Sequence, residues 1–166
     1  MSKINSLYVE ICVFKRLKGK IFYLILKRSN KNKIFPGVYQ IITGTVEKRH
    51  KNKRLETAVE TVIREVYEET KLRPIRLWVL PFINMYYVVK KDTINLSPMF
   101  AAEVASDSEP IISNEHQTYK WVGYKSAKKY LIWESHRSAL KYLNDFLIGK
   151  EDWGKFLQIK LKNKFK

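Results

Sequence analysis

The chain has 166 residues, of which 45% are hydrophobic, enough for one compact domain with a real core and too apolar for global disorder. Lys and Arg number 32 against 16 Asp and Glu, and the resulting charge of +16 calls for an anionic partner or substrate: nucleic acid, nucleotide, phosphorylated metabolite or anionic membrane. A single cysteine, Cys12, excludes an internal disulfide and suits a reducing cytoplasm. Met1 to Lys15 has no signal-peptide pattern, and the longest apolar stretch, Trp78 to Val89, contains Pro81 and Asn84 and is shorter than the roughly 20 residues of a membrane helix. The expectation is a soluble cytoplasmic protein with no membrane span.

Tyr8 to Phe14 and Ile21 to Leu26, rich in β-branched and aromatic residues, predict two strands around a turn at Gly19. Ser29 to Gly37 predicts a polar loop closed by Pro-Gly. Val38 to Thr43 predicts a third strand stopped by Gly44, and the strongly basic loop Lys48 to Arg54 follows. Thr57 to Lys71 predicts a helix: Thr57 and Glu60 form a capping box, and Ala58, Val62 and Val66 recur at helical spacing with Val59 and Ile63 beside them. Strands are expected at Ile75–Leu80, Phe82–Val89, Pro98–Val104 and Tyr119–Val122, and helices at Ser126–Leu131 and His136–Ile148. The order predicts a mixed α/β or α+β domain over 1–149. The remaining residues, 150–166, interleave lysines with Trp153, Phe156, Leu157, Ile159, Leu161 and Phe165 and read as a basic amphipathic tail. It packs on the domain or on a partner; the competing reading is a strip for nucleic acid or anionic lipid.

The helix carries the chemistry. Glu65, Glu68 and Glu69 stand at i, i+3 and i+4 and share a face, where like charges repel by a few tenths of a kcal/mol per pair. A chain this basic has still gathered three carboxylates, a set of hard oxygen donors suited to Mg²⁺ or Mn²⁺. Taken alone, the triplet reads equally as a solvated face paired with lysines. The wider spacing tips the balance: Glu56 is followed by seven residues and then by R-E-V-Y-E-E-T-K-L.

This segment resembles the Nudix box, G-x5-E-x7-R-E-U-x-E-E-x-G-U, with U a bulky aliphatic residue. Two departures stand out. Lys71 occupies the position of the box glycine, which implies a different exit from the helix, and eleven residues rather than five separate Gly44 from Glu56, so the basic loop reads as an insertion. The resemblance implies an α/β/α sandwich around a mixed sheet and hydrolysis of a nucleoside diphosphate linked to another group. It implies Glu65 and Glu69 as leading metal ligands with Glu68 beside them, Glu56 as a supporting acid, and Arg64 as the residue that orients these carboxylates.

Two further segments are similar to the dihydroneopterin triphosphate diphosphatase group: Val38 to Glu47, and Glu115-His116-Gln117-Thr118-Tyr119-Lys120-Trp121. By that similarity Glu115 is a fourth metal ligand or a base, with an exposed loop acid as the plain alternative. Arg28, Thr43 and Gly44 are candidates for substrate binding. His50 and His116 have no partners at ligand spacing and are expected at the solvent surface. Trp121 and Trp133 are expected in the core rather than stacked on a ligand. The implied function is Mg²⁺-dependent cleavage of a pterin or nucleoside triphosphate to monophosphate and pyrophosphate. The alternatives are hydrolysis of diadenosine polyphosphates or of an RNA 5′-triphosphate, which the charge favours, and a non-catalytic module that binds nucleic acid. Monomer and homodimer remain open.

Overall fold

The computed structural model describes residues 1–49, 54–148 and 154–161. Among them the strands are β1 (Lys3–Asn5), β2 (Tyr8–Leu17), β3 (Lys20–Arg28), β4 (Tyr39–Gln40), β5 (Ile42–Thr45), β6 (Arg76–Val88), β7 (Thr93–Glu103), β8 (His116–Val122) and β9 (Gln158–Ile159). The helices are α1 (Ala58–Thr70), α2 (Tyr124–Tyr130), α3 (Glu134–Ile148) and the single turn α4 (Gly154–Leu157).

The strands form one mixed sheet whose main path runs β4-β3-β2-β7-β6-β9. Strand β2 runs parallel to β7, and β6 antiparallel to β7. The other pairings around β2 and β3 shape the molecule. The first half of β2 pairs with β5, from Tyr8 opposite Thr45 to Ile11 opposite Ile42, whereas its second half pairs with β3 from Phe14 opposite Tyr23. The far end of β3 in turn pairs with β4 at Leu26 and Lys27. Segment 39–45 therefore fills the space where β2 and β3 part.

Strand alternation sorts the core into two layers. Val9, Ile11 and Val13 of β2 pack with Val62 and Val66 of α1 on one side of the sheet. Cys12 and Phe14 pack with Ala127 of α2 and with Ala139, Leu140 and Leu143 of α3 on the other. The result is the expected α/β/α sandwich. No described helix is long and apolar enough to cross a membrane.

Several boundaries differ from the sequence reading. The third strand does not stop at Gly44: it breaks at Ile41, where its pairing passes from β3 to β2, and continues to Thr45. The two strands expected around residue 81 are one, because the sheet absorbs Pro81 in an irregularity between Val79 and Ile83. Lys3–Asn5, too short to notice in sequence, pairs in parallel with β7. Lys71 does not send the helix out by another route. It adopts the left-handed C-cap conformation, with φ 59°, and its N–H donates to Tyr67 O. A non-glycine residue there is disfavoured by roughly 1–2 kcal/mol. The exit is held from outside by Ile111 N–H donating to Thr70 O, and by Ser113 N–H donating to Glu69 O.

Candidate active site

Helix α1 begins as expected, with Thr57 accepting from Glu60 N–H and the Glu60 carboxylate accepting from Thr57 N–H. Two turns later Arg64 acts as a hub. Its Nε and Nη2 donate to Glu56 at 3.0–3.2 Å, and Nη1 donates to Glu65 Oε1 and Glu68 Oε2, both at 2.9 Å. Nη2 also donates to Thr45 O at 2.7 Å, which ties the helix to β5. Burial disfavours the charge on Arg64, but the hydrogen bonds to Glu56 and Glu68 and the charge of Glu65 overcome it and raise its pKa. Burial works against ionised Glu56 too; the bonds from Arg64, the Glu47 N–H and Thr61 outweigh it and hold that carboxyl below its usual range.

Glu65 lies against β5. A Cβ on Gly44 would stand 2.3 Å from Glu65 Cγ, so only glycine allows this approach, and Thr45 N–H donates to Glu65 Oε1 at 3.1 Å. Burial pushes Glu65 up to about 7 against the pull of Arg64 and Thr45, and the charge of Glu69 adds to the rise. One turn on, Glu69 is 4% exposed and accepts from His116 Nε2 at 2.6 Å. Burial raises its pKa despite His116; the charge of Glu115 raises it further and that of Arg28 lowers it.

Thus Glu115 and Arg28, from distant parts of the chain, both act on Glu69 electrostatically. The Glu115 side chain is exposed, and its carbonyl accepts from Ser29 N–H and Asn32 Nδ2, which fixes its loop beside the end of β3. Arg28 donates to Ile34 O and to Gln40 Oε1. Glu68 is the open member of the acidic face, its side chain 56% exposed.

The donors suit a hard divalent cation. Glu69 is buried and Glu65 half-buried beside it, and the charge of Glu69 raises the cost of ionising Glu65, a repulsion that a cation between them relieves. Among the described residues no three acidic, His or Cys side chains already converge as a cage, because Arg64 and His116 engage these carboxylates.

A cleft of about 490 Å³ lies on the other side of β5 from these carboxylates, and none of them lines it. Arg28, Thr43, Gly44 and Thr45 do, so β5 is the wall shared by cleft and acidic face. Beside this wall are Glu10, directly opposite Thr43 in the ladder, and Asn84, Ser97 and His136, with Trp133, Phe35 and Tyr86 as aromatic surface.

Sequence reasoning missed this group. Glu10 was legible as the one acid in the strand Y-V-E-I-C-V-F, but Asn84, Ser97 and His136 carry no spacing that joins them to it. Two expectations are corrected. His116 is not at the surface: it is 6% exposed, because Glu69 supplies the partner that a buried imidazole needs. Trp133 is half-buried and lines the cleft, its ring edge-on to Phe35 at 4.6 Å, rather than sitting within the core. Trp121, as expected, packs against the core, partly buried, with Lys15 Nζ 4.5 Å from its ring centre. His50 lies outside the described residues.

The basic loop is anchored as well as charged. Its ends close through Arg49 N–H to Arg54 O, and the side chains of Arg49 and Arg54 both bind Glu60. Lys51 and Lys53 lie outside the described residues.

The chain is similar to known proteins. The chain is 31% identical over 94 residues to a bis(5′-nucleosyl)-tetraphosphatase [asymmetrical] of Rattus norvegicus, an alignment covering 55% of this chain and 64% of that protein. The chain therefore spans just under two thirds of that relative. Among solved structures, an Ap4A hydrolase of C. elegans superposes with TM-score 0.68 at 22% identity, over 90% of this chain and 99% of that one. A dihydroneopterin triphosphate pyrophosphohydrolase of E. coli superposes with TM-score 0.62 at 20% identity, over 86% and 99%. These likenesses show the fold. The NUDIX domain matches residues 8–143, which include the hub, the acidic face and all the residues that line the cleft; the chain belongs to the Nudix family.

Proposed function

We propose that this protein is a divalent-cation-dependent pyrophosphohydrolase that cleaves a phosphoanhydride bond in a heterocycle-bearing polyphosphate. A pterin or nucleoside triphosphate, cut to monophosphate and pyrophosphate, is the leading substrate. The observation that carries this reading is the shared wall: Gly44 and Thr45 touch Glu65 and Arg64 on one side and line an aromatic-bearing cleft on the other. Such a cleft, within the 300–1,000 Å³ usual for small-molecule sites, holds a ring while its phosphates lie along the wall.

Nudix hydrolases generally use divalent metals, and a bound Mg²⁺ or Mn²⁺ supplies charge neutralisation on phosphate and activation of water. Glu65 and Glu69 are its principal ligands in this reading, with Glu68 and Glu115 within reach as further ligand or proton acceptor. Glu56 acts through Arg64, which fixes the orientation of Glu65 and Glu68. Arg28 pairs with phosphate oxygens, and Thr43 offers its hydroxyl to the substrate. The lone cysteine is buried and its thiol is pushed up to about 12 by that burial, which suits a structural residue in a cytoplasmic protein.

A second reading, asymmetrical cleavage of a dinucleoside polyphosphate, is favoured by the rat relative. A panel with Mg²⁺ separates them: dihydroneopterin triphosphate, the dNTPs, diadenosine tetraphosphate, ADP-ribose and triphosphorylated RNA, each scored by both products. Pyrophosphate with a monophosphate from the small triphosphates is the expected result. Preference for diadenosine tetraphosphate, yielding ATP and AMP, supports the second reading. Preference for RNA, weakening steeply with salt, moves the assignment to RNA ends. No turnover of any member overturns the enzymatic reading.

A further inference from the structure

The cleft around Glu10 holds polar groups that the phosphate chemistry does not use. Alternation along β2 places Glu10 on the same side of the sheet as Cys12 and Phe14, facing α3. There His136 Nε2 stands 3.2 Å from Glu10 Oε2, and Asn84 Nδ2 donates to Glu10 Oε1 at 2.7 Å. Glu10 is 5% exposed, His136 4% and Ser97 0%. Yet among the described residues His136 Nδ1 and Ser97 Oγ have no hydrogen-bond partner, and Glu10 Oε2 has only the His136 contact beside it. Buried polar atoms are almost always paired, so two orphans and an under-used carboxylate on residues that line one cleft mark a place where partners arrive with a ligand. Trp133 and Tyr86 line the same cleft, and aromatic side chains suit a flat ring.

We propose that Glu10 makes this part of the cleft a reader of heterocycles that present two adjacent N–H donors, the ring N–H and exocyclic amine of a 2-amino-4-oxopyrimidine edge. That edge is common to guanine and to pterins. The inference rests on the reading that the cleft takes the heterocyclic end of a polyphosphate. Its logic is hydrogen-bond complementarity. An ionised carboxylate only accepts, and it has room for about four hydrogen bonds; Asn84 uses one and His136 stands at the other oxygen, which leaves about two. Adenine and cytosine set an acceptor nitrogen beside their single amine, and uracil flanks its N–H with carbonyls. Each of these turns a lone pair towards Glu10. A site built around hydrogen bonds discriminates strongly against such analogues, because its buried groups are then left unpaired. Asn84 and His136, on β6 and α3, are positioning residues that hold the carboxylate in place.

Phosphate-free probes test this apart from catalysis. Binding of guanosine, neopterin and adenosine to the metal-free protein is measured by calorimetry for wild type and for Glu10→Gln, with melting curves on both. Wild type is expected to bind guanosine, neopterin or both at least tenfold more tightly than adenosine, and Glu10→Gln to erase most of that preference while adenosine binding changes little. The stronger of the two favoured probes identifies the source of the ring. If Glu10→Gln fails to fold, Asn84→Ser and His136→Gln serve instead, each narrowing the preference severalfold. Equal binding of all three probes by the wild type, or a preference that survives these substitutions, overturns the inference. Selective binding without hydrolysis of any polyphosphate overturns the proposed function alone, whereas hydrolysis of GTP and ATP at equal kcat/KM overturns this inference alone.

Discussion

The two parts of the candidate site hold carboxylates in opposite ways. Around Arg64 four carboxylates come within reach of one guanidinium, and each hydrogen bond is charge-assisted. Around Glu10 the partners are an imidazole and an amide, and His136 Nδ1 and Ser97 Oγ stay unpaired among the described residues. The first arrangement is complete before anything binds, and the second is not. A pre-assembled frame keeps acids in position for charge-based chemistry, whereas an incomplete one leaves hydrogen-bonding capacity for a ligand to fill.

Breaking the complete part has the largest expected effect. Glu69→Gln and Glu65→Gln keep shape and lose charge, and each should lower kcat by about a hundredfold or more, as loss of electrostatic stabilisation does elsewhere. The double variant should be little worse than either single one, because both residues serve one cluster. Near-normal turnover at saturating Mg²⁺ in either variant would remove the acidic face from the chemistry. The same variants sharpen the comparison without turnover: Mg²⁺ should raise the melting temperature of the wild type by mass action, but not that of Glu69→Gln.

Gly44→Ala comes next. Its methyl group meets Glu65 at 2.3 Å, so Glu65 must leave β5, and kcat should fall by roughly tenfold or more, with a stability cost of about 1–3 kcal/mol. A fully active Gly44→Ala would show that Glu65 acts from another position. Arg64→Lys keeps the charge and loses the fork, so it should cost about 1–3 kcal/mol in urea unfolding and leave the carboxylates misaligned. An unchanged midpoint would mean that the hub contributes no net stability.

The smallest effects lie outside both parts. In the tail, Gly154 lies against the Phe146 ring, with a Cβ at that position only 1.9 Å from it, and Gln158–Ile159 pair with β6. Removal of residues after 149 should therefore lower the melting temperature by several degrees, at about 2–4 °C per kcal/mol for a chain of this size, with substrate choice unaltered. An unchanged melting temperature with loss of RNA or vesicle binding would make the tail a tether. In the basic loop, Arg49 and Arg54 are already engaged by Glu60. Neutralising Lys48, Lys51 and Lys53 instead should raise KM modestly and flatten its salt dependence while kcat holds, since charges near a site speed capture of anions. An unchanged kcat/KM at low ionic strength would place the loop away from the substrate.

The Arg64 part was readable in the sequence because helix geometry converts spacing into proximity. Arg64, Glu65, Glu68 and Glu69 occupy one stretch of α1, and Glu56 lies just before its cap. The capping box and the apolar stripe of Val62 and Val66 were legible for the same local reason. The tertiary structure alone decided what is not local. It turned His116 inward to Glu69, forty-seven residues away in sequence, and it let Lys71 keep a conformation that its own side chain disfavours, by bonding the neighbouring carbonyls to a distant loop. It carried β5 past Gly44 by exchanging one partner strand for another at Ile41. It also gathered Glu10, Asn84, Ser97 and His136 from four separate elements, where no local period records their meeting and only packing across the sheet brings them together.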